Sequence, residues 1–341
     1  MRDGVEAVKS GAVAVADRRL LGTGCGFVSI AIWGMTIPLM KLVSEDIGAW
    51  WTGAFACMLA GGLGVLPQLN GKGMRKLSKL PRGYVFWSGA VFVAYILTFY
   101  LGVGWSLTRQ QAVEVGMVNY LWPCMTIVCS LLFFKYRAGM LLWVGTVLAL
   151  VGVGVLMSGN EDFKWSMVWG NMMGDGLVYA LTFVAAVTFA VYSNMTKKWF
   201  ADHDVNLASW FLGVGGLSLL VGGFAQRHEM NWGVDTVVCL LGLGLLVHLV
   251  AYSCWEYSMR KGDITLVAAG SYGIPALSVM FGVLFLGVEA GWMLVAGTVA
   301  VVVGAGLCKL GVKEEIEEVG VVVNGEADVS RSEEGMEVLG K

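Results

Sequence analysis

Side chains able to do chemistry are few in this sequence, and their spacing excludes most reactions. The three histidines and seven cysteines form no Cys/His cluster and no CxxC pair, so neither a metal nor a cofactor is implied. Every cysteine (Cys25, Cys57, Cys124, Cys129, Cys239, Cys254, Cys308) lies inside an apolar run and reads as a small buried hydrophobe. His248 is the one titratable group near the middle of such a run; it is either a hydrogen-bonded packing histidine or a site and proton-relay residue. Glu114 stands at the start of another run. There a carboxylate favours a helix N-terminus, or else serves as a gate or as a contact for a substrate amine. An enzyme should show a polar catalytic cluster on one face, and none is visible, so no covalent chemistry is expected.

What remains is reversible binding by rings, hydroxyls and freed carbonyls. Pro123 and Pro275 stand near the middle of apolar runs. A helix proline removes one N–H and releases the carbonyl four residues earlier, here those of Asn119 and Ser271. Each of these is followed by a tyrosine, Tyr120 or Tyr272. Interrupted helices at matching places in two halves of a chain are a pointer to a carrier's central site; harmless kinks are the bland alternative. Trp33, Tyr95, Tyr120, Trp122, Phe189, Tyr192, Trp255 and Tyr272 also lie within apolar runs. Trp50, Trp51, Trp87, Trp105, Trp169 and Trp199 suit the aromatic belts at the two membrane surfaces. Trp33, Tyr120 and Trp122 sit deeper, where a belt does not account for them, although each ring alone fits ordinary packing equally well.

The elements that must position these groups are transmembrane helices. Of 341 residues, 57 % are hydrophobic and 14 % charged, against about 25 % charged in a soluble domain, and the mean hydropathy is +0.71. That excludes a disordered chain, a nucleic-acid binder and a secreted disulfide scaffold. A membrane-crossing helix needs about 20 mostly apolar residues. Ten such runs are present, at 20–41, 47–66, 84–105, 112–134, 139–157, 174–195, 205–225, 236–257, 264–286 and 291–310. A β-barrel would show short alternating segments instead, so the expected fold is all-α and embedded in the lipid bilayer of the cell membrane. Nineteen of the Lys and Arg residues fall on the N-terminal side of the membrane and four on the other. The positive-inside rule then puts both termini in the cytoplasm.

The two halves repeat. With an offset of 152, Tyr120–Leu156 lies on Tyr272–Cys308 without a gap, and 13 of 37 positions are identical. About four are expected by chance in such a Gly/Val/Leu-rich composition. More weakly, Trp33…Lys41 aligns with Phe189…Lys197. Units of five spans cross the membrane in opposite senses, which makes an inverted repeat, an architecture of carriers. The organisation expected is a cytoplasmic N-terminal segment (1–19), a first five-helix unit (20–157), a connecting loop (158–173), a second unit (174–310) and an acidic, disordered cytoplasmic tail (311–341).

Glu114-Val-Gly-Met-Val-Asn-Tyr-Leu-Trp-Pro123 resembles the fourth-span signature of the YddG-type aromatic amino acid exporters, in the EamA branch of the drug/metabolite transporter superfamily. Gly270-Ser-Tyr272 with Pro275, preceded by Trp255 and Thr265, is similar to that family's eighth and ninth spans, and Trp33-Gly34 fits its first. The resemblance runs over about 20–310. It implies a ten-helix basket of two inverted units around a hydrophobic cavity that opens alternately to each side. It also implies cavity positions at Trp33, Tyr95, Tyr120, Trp122 and Tyr192. Where relatives often carry Trp in the sixth span this chain has Phe189, which removes an indole donor, and the acidic tail departs from the family pattern.

The reading is a monomeric carrier, with no nucleic-acid partner, exporting aromatic or neutral amino acids and related metabolites. Asn119, Ser271 and the freed carbonyls would hold the amine and carboxylate. Fixed positive charge is missing from the span interiors, so phosphorylated substrates are not expected. The alternatives are a same-fold exporter of purines, drugs or other neutral metabolites, and a non-transporting scaffold or embedded enzyme.

Overall fold

The computed structural model describes residues 2–134, 137–158, 165–225, 229–277 and 292–313. The tail from 314, the last nine residues of the ninth apolar run and part of the connecting loop lie outside them. The chain runs through α1 (Arg2–Trp33), α2 (Thr36–Ile47), α3 (Ala49–Val65), α4 (Gly71–Ser78), α5 (Arg82–Gly104), α6 (Arg109–Asn119), α7 (Trp122–Phe134), α8 (Met140–Ser158) and α9 (Trp165–Gly174). It continues through α10 (Gly176–Phe200), α11 (Leu207–Ala225), α12 (Val234–Leu241), a π-helical stretch (Gly242–Ala251), α13 (Tyr252–Lys261), α14 (Ile264–Gly270) and α15 (Trp292–Gly311). One antiparallel pairing, Arg137–Ala138 with Val312–Lys313, ties the turn before α8 to the end of α15.

Among the described residues, five helical stretches are long and apolar enough to cross a bilayer: Ala49–Gln68, Arg82–Gly104, Gly176–Phe200, Leu207–Ala225 and Val234–Lys261. The pair Asp17–Trp33 and Thr36–Ile47, bent by 43°, makes a sixth. The other four apolar runs fold as shorter apolar helices, Trp122–Phe134, Met140–Val155, Ile264–Leu277 and Val295–Gly311. The basic segment after the second run holds a short helix: Asn70 accepts from Gly73 N and starts α4. Part of the connecting loop is helix α9, and the N-terminal segment continues α1 as helix from Arg2.

Helices pack in antiparallel pairs wherever small residues allow close approach. Along α8 and α15, a Cβ on Gly145 would lie 2.5 Å from Gly304 O, and one on Gly152 would lie 2.9 Å from Gly297 O. Bulkier side chains there would drive the backbones apart. At α1 with α13, a Cβ on Gly26 would meet Ser258 Oγ at 2.5 Å; at α5 with α10, one on Gly102 would collide with Thr182 Oγ1. Two lysines cap chain ends in the same way: Lys41 Nζ donates to Ser106 O (2.7 Å) just beyond α5, and Lys197 Nζ donates to Gly262 O (3.4 Å) just beyond α13. Gly48, at φ 81°, takes the left-handed conformation that turns α2 into α3. Leu141, Val144, Val147 and Val151 of α8 and Val295, Val299 and Val302 of α15 point outward. A soluble protein could not present that surface, and lipid can.

Candidate functional site: a ring-lined cavity at three helix breaks

Three helices break, each a few residues before a proline. Pro38 cannot donate to Gly34 O, Pro123 cannot donate to Asn119 O, and Pro275 cannot donate to Ser271 O. The chain accordingly turns between α1 and α2, passes from α6 to α7 through Tyr120 and Leu121, and tightens to a 3₁₀ turn at Ser271–Gly273. Around the breaks lies a cavity of about 40 Å³. Its walls are Trp33, Thr36 and Ile37 from the first break, Tyr95 and Phe99 from α5, and Asn119, Tyr120 and Trp122 from the second break. Phe189, Tyr252 and Ile274 complete them. At about 10–15 Å³ per water, that is room for a few water molecules. Sites for drug-sized molecules measure about 300–1,000 Å³, so the rings must part before an amino acid can enter.

Among the described residues, no charged side chain lines this space. The rings meet edge to face: Trp33 lies 6.0 Å from Trp122, 5.6 Å from Phe189 and 5.2 Å from Tyr252, centroid to centroid, at interplanar angles of 64–90°. Tyr95 and Tyr252 share a hydroxyl–hydroxyl hydrogen bond of 2.5 Å. Against this apolar wall, three buried polar atoms have no hydrogen-bond partner among the described residues: Trp33 Nε1, Thr36 Oγ1 and Asn119 Oδ1. A buried polar atom left unpaired costs about 1–3 kcal/mol, and three around one cavity mark a place for a ligand with its own donors and acceptors. The half-helices add to this. The start of α7 offers partial positive charge, and the freed carbonyls at the ends of α1 and α6 offer partial negative charge.

Behind the cavity wall, His248 is buried in the π-helical stretch, with Nε2 2.7 Å from Tyr100 OH and its ring 5.4 Å from that of Tyr252. π-helical turns inside longer helices occur frequently at functional sites. Glu114 is not at the surface. It is 1 % exposed, and it accepts from Tyr179 OH (2.5 Å) and Asn171 Nδ2 (3.0 Å) on the face of α6 turned toward α9 and α10. Glu256 is equally buried. Its carboxylate accepts from Leu207 N (2.8 Å) and Ala208 N at the start of α11 and lies 3.8 Å from Arg260 Nε.

Of the residues expected at a site, Trp33, Tyr95, Asn119, Tyr120 and Trp122 meet at the cavity. Tyr192 packs one layer away against Phe92 and Phe211. Ser271 donates to Val267 O, and Tyr272 packs with Ile127, Leu142 and Val301, so neither side chain reaches the cavity. Ile274, just before Pro275, takes that place. Thr36, Ile37, Phe99 and Tyr252 went unforeseen. The rule that picked Pro123 and Pro275, applied to Pro38, frees the carbonyl of Gly34 and so marks the 34–38 segment that holds Thr36 and Ile37, whereas nothing in the local sequence marks Tyr252 or Phe99.

The model of the EamA-like transporter family matches residues 20–158 and, a second time, residues 176–308. The chain belongs to the EamA-like transporter family. Among curated proteins it is similar to the "Aromatic amino acid exporter YddG" of Escherichia coli (strain K12), at 30% identity over 86% of this chain and 98% of that one. It is also similar to the "Aromatic amino acid exporter YddG" of Salmonella typhimurium, at 29% identity over 84% and 95%. A crystal structure of a protein 20% identical superposes with a TM-score of 0.72, covering 86% of this chain and 97% of that one; at that identity the likeness concerns the fold alone. This EamA-family chain is thus a multi-pass membrane protein whose relatives are transporters of small molecules.

Proposed function

We propose that this EamA-family protein exports aromatic and other neutral amino acids from the cytoplasm by alternating access, with the ring-lined cavity as its central site. The observation that carries the reading is the pairing of an uncharged aromatic wall with three unpartnered polar atoms. A zwitterion with an apolar body matches both. Its carboxylate would take the Trp33 N–H and the start of α7, its amine Asn119 Oδ1 and the freed carbonyls, and its side chain the rings. A phosphate ester would bury charge without a cation, at high cost. The small volume of the cavity supports a closed state between the two open ones, and His248, one ring behind Tyr252, and Glu114 are the candidates for proton coupling or gating.

The architecture proposed with it has ten spans in two inverted units, 20–157 and 174–310, with both termini in the cytoplasm and the protein a monomer. The double family match supports the duplication. So does the internal symmetry of contacts. A shift of 156 carries the Lys41–Ser106 cap onto Lys197–Gly262 and the Gly26–Ser258 crossing onto Thr182–Gly102. A shift of 152 carries Gly145 and Gly152 onto Gly297 and Gly304, the residues they meet across α8 and α15. The test is counterflow into liposomes holding only this protein, with phenylalanine, tryptophan, threonine and a triose phosphate offered in parallel. Uptake of the amino acids with none of the phosphate is expected; fast phosphate movement without amino acid flux would overturn the substrate class.

A further inference from the structure

We propose that the groove between the start of α5 and the start of α11 holds one anionic phospholipid of the surrounding leaflet, with an acyl chain along the groove and the phosphate beside Arg82. The proposal does not depend on the reading of the central cavity and shares with it only the membrane setting. A space of about 460 Å³ lies between the two helix starts, with Leu80, Val85 and Phe86 on one wall and Leu207, Trp210 and Val214 on the other. That is the scale of a small-molecule site, about 300–1,000 Å³, and these walls are apolar. Both helices are among the long membrane-crossing ones, and Phe86 and Val214 are exposed. The groove therefore opens toward the bilayer.

Depth along the helices decides which part of a lipid meets which residue. Tyr84 stacks on Trp199 with centroids 4.4 Å apart, and Trp87 stands exposed on the next turn of α5; such rings mark the level of the membrane surface. Arg82 begins α5 just outside them, at headgroup level, and lines the outer end of the groove with Ser78. It is exposed and has no hydrogen bond or ion pair among the described residues, and the same holds for Lys72, Arg75 and Lys79 on and just after α4. Lys76 is the exception, held by Asp204 at 2.6 Å. Basic clusters at this level attract anionic headgroups. Below them, Trp210 Nε1 is buried with no partner among the described residues. The ester carbonyls of a diacyl lipid, one step deeper than its phosphate, supply the missing acceptor. Leu69 and Met74 expose apolar surface beside the cations of α4, as in a helix lying in the interface. A soluble phosphate ester would meet the cations and leave the apolar groove empty, and a zwitterionic lipid would bring its own cation against Lys72, Arg75 and Lys79. An anionic lipid satisfies both parts.

The test uses the full chain in a neutral detergent, read by native mass spectrometry, with phosphatidylglycerol and phosphatidylcholine of identical acyl chains offered in equal amounts. One retained phosphatidylglycerol is expected, favoured over phosphatidylcholine about fivefold or more, as one extra net charge at contact distance gives. Arg82→Gln should lower phosphatidylglycerol retention about tenfold, the worth of a charge-assisted hydrogen bond, with thermal unfolding in lipid-free detergent unchanged, and Arg82→Lys should keep most of the retention. Lys72→Gln with Arg75→Gln should cost less than Arg82→Gln alone. Trp210→Phe should weaken the ester lipid about fivefold and leave unchanged an ether-linked phosphatidylglycerol, which has no ester carbonyl. Glycerol phosphate, the soluble counterpart of the headgroup, should not displace the lipid. Equal retention of the two lipids, or a loss from the α4 double variant as large as that from Arg82→Gln, would overturn the proposal in favour of a diffuse basic surface. Displacement by glycerol phosphate, or equal weakening of ester and ether lipids by Trp210→Phe, would overturn it as well.

Discussion

Replacing Trp33 by Phe separates a binding role from a packing role at the centre of the cavity. The phenyl ring takes the place of the indole's five-membered ring, so an aromatic face stays among Trp122, Phe189 and Tyr252, while the substitution removes the indole N–H and the outermost ring carbons. That N–H has no partner among the described residues, so its loss relieves an unpaired buried donor worth about 1–3 kcal/mol. Trimming a few buried carbons costs about 1–2 kcal/mol. The two effects oppose, and the net change in stability should lie within about 1 kcal/mol of zero. Affinity should respond differently. A charge-assisted bond from the indole to the substrate carboxylate is worth about 1.5–3 kcal/mol, so Trp33→Phe should raise Kd for phenylalanine between about tenfold and a hundredfold. Isothermal titration of the purified protein reads the affinity, and denaturant unfolding in detergent reads the stability. Unchanged affinity with a stability loss above about 2 kcal/mol would make Trp33 a packing residue and refute the reasoning.

Gly145→Leu places a side chain against the backbone of α15 at 2.5 Å and should cost well over ~2 kcal/mol in thermal unfolding, whereas Gly62→Ala, with nothing within 4 Å of its new Cβ, should be silent. Glu256→Gln removes a buried carboxylate that caps α11 and faces Arg260 and should destabilise by ~3 kcal/mol or more; Lys76→Gln, at an exposed pair with Asp204, should change stability by ~1 kcal/mol or less. Asp263 is partly desolvated, which alone would raise its pKa, yet Lys309 (2.7 Å), the N–H of Leu266 and Arg19 together hold it below the usual carboxylate range. Its contribution is therefore present above the unfolded pKa of about 3.9 and lost as pH falls through the folded value. Asp263→Asn should lower the unfolding midpoint at pH 7, and the gap from the parent should close as pH falls through the folded value.

Much of the central site was legible because prolines act locally. Pro123 breaks a helix wherever it stands in an apolar run, and Asn119, Tyr120 and Trp122 follow from that break by counting. Trp33 and Tyr95 came from the family resemblance and the depth of their runs. Ser271 and Tyr272 were placed by symmetry with Asn119 and Tyr120, and there the two halves differ. Their side chains turn into the packing of α7, α8 and α15, and Ile274 faces the cavity. Lys41 was legible as a span-end charge but not as a buried one, because its partner, the Ser106 carbonyl, lies 65 residues away across a helix end. Glu114 was read as a terminal carboxylate because hydropathy cannot see Tyr179, which arrives from another helix to hold it. Tyr252 reaches the cavity by way of a π-helical stretch whose register no simple period foretells.

The central claim is that aromatic amino acids bind among the rings at the three helix breaks. Photo-crosslinking with p-azidophenylalanine as a free ligand, followed by peptide mapping of the membrane-reconstituted protein, tests it most directly. Adducts confined to Trp33–Ile37, Asn119–Trp122 and Ile274, and competed away by unlabelled phenylalanine, are the result the account predicts. Adducts competed by phenylalanine but located elsewhere, with none on Trp33, Asn119 or Trp122, would contradict it.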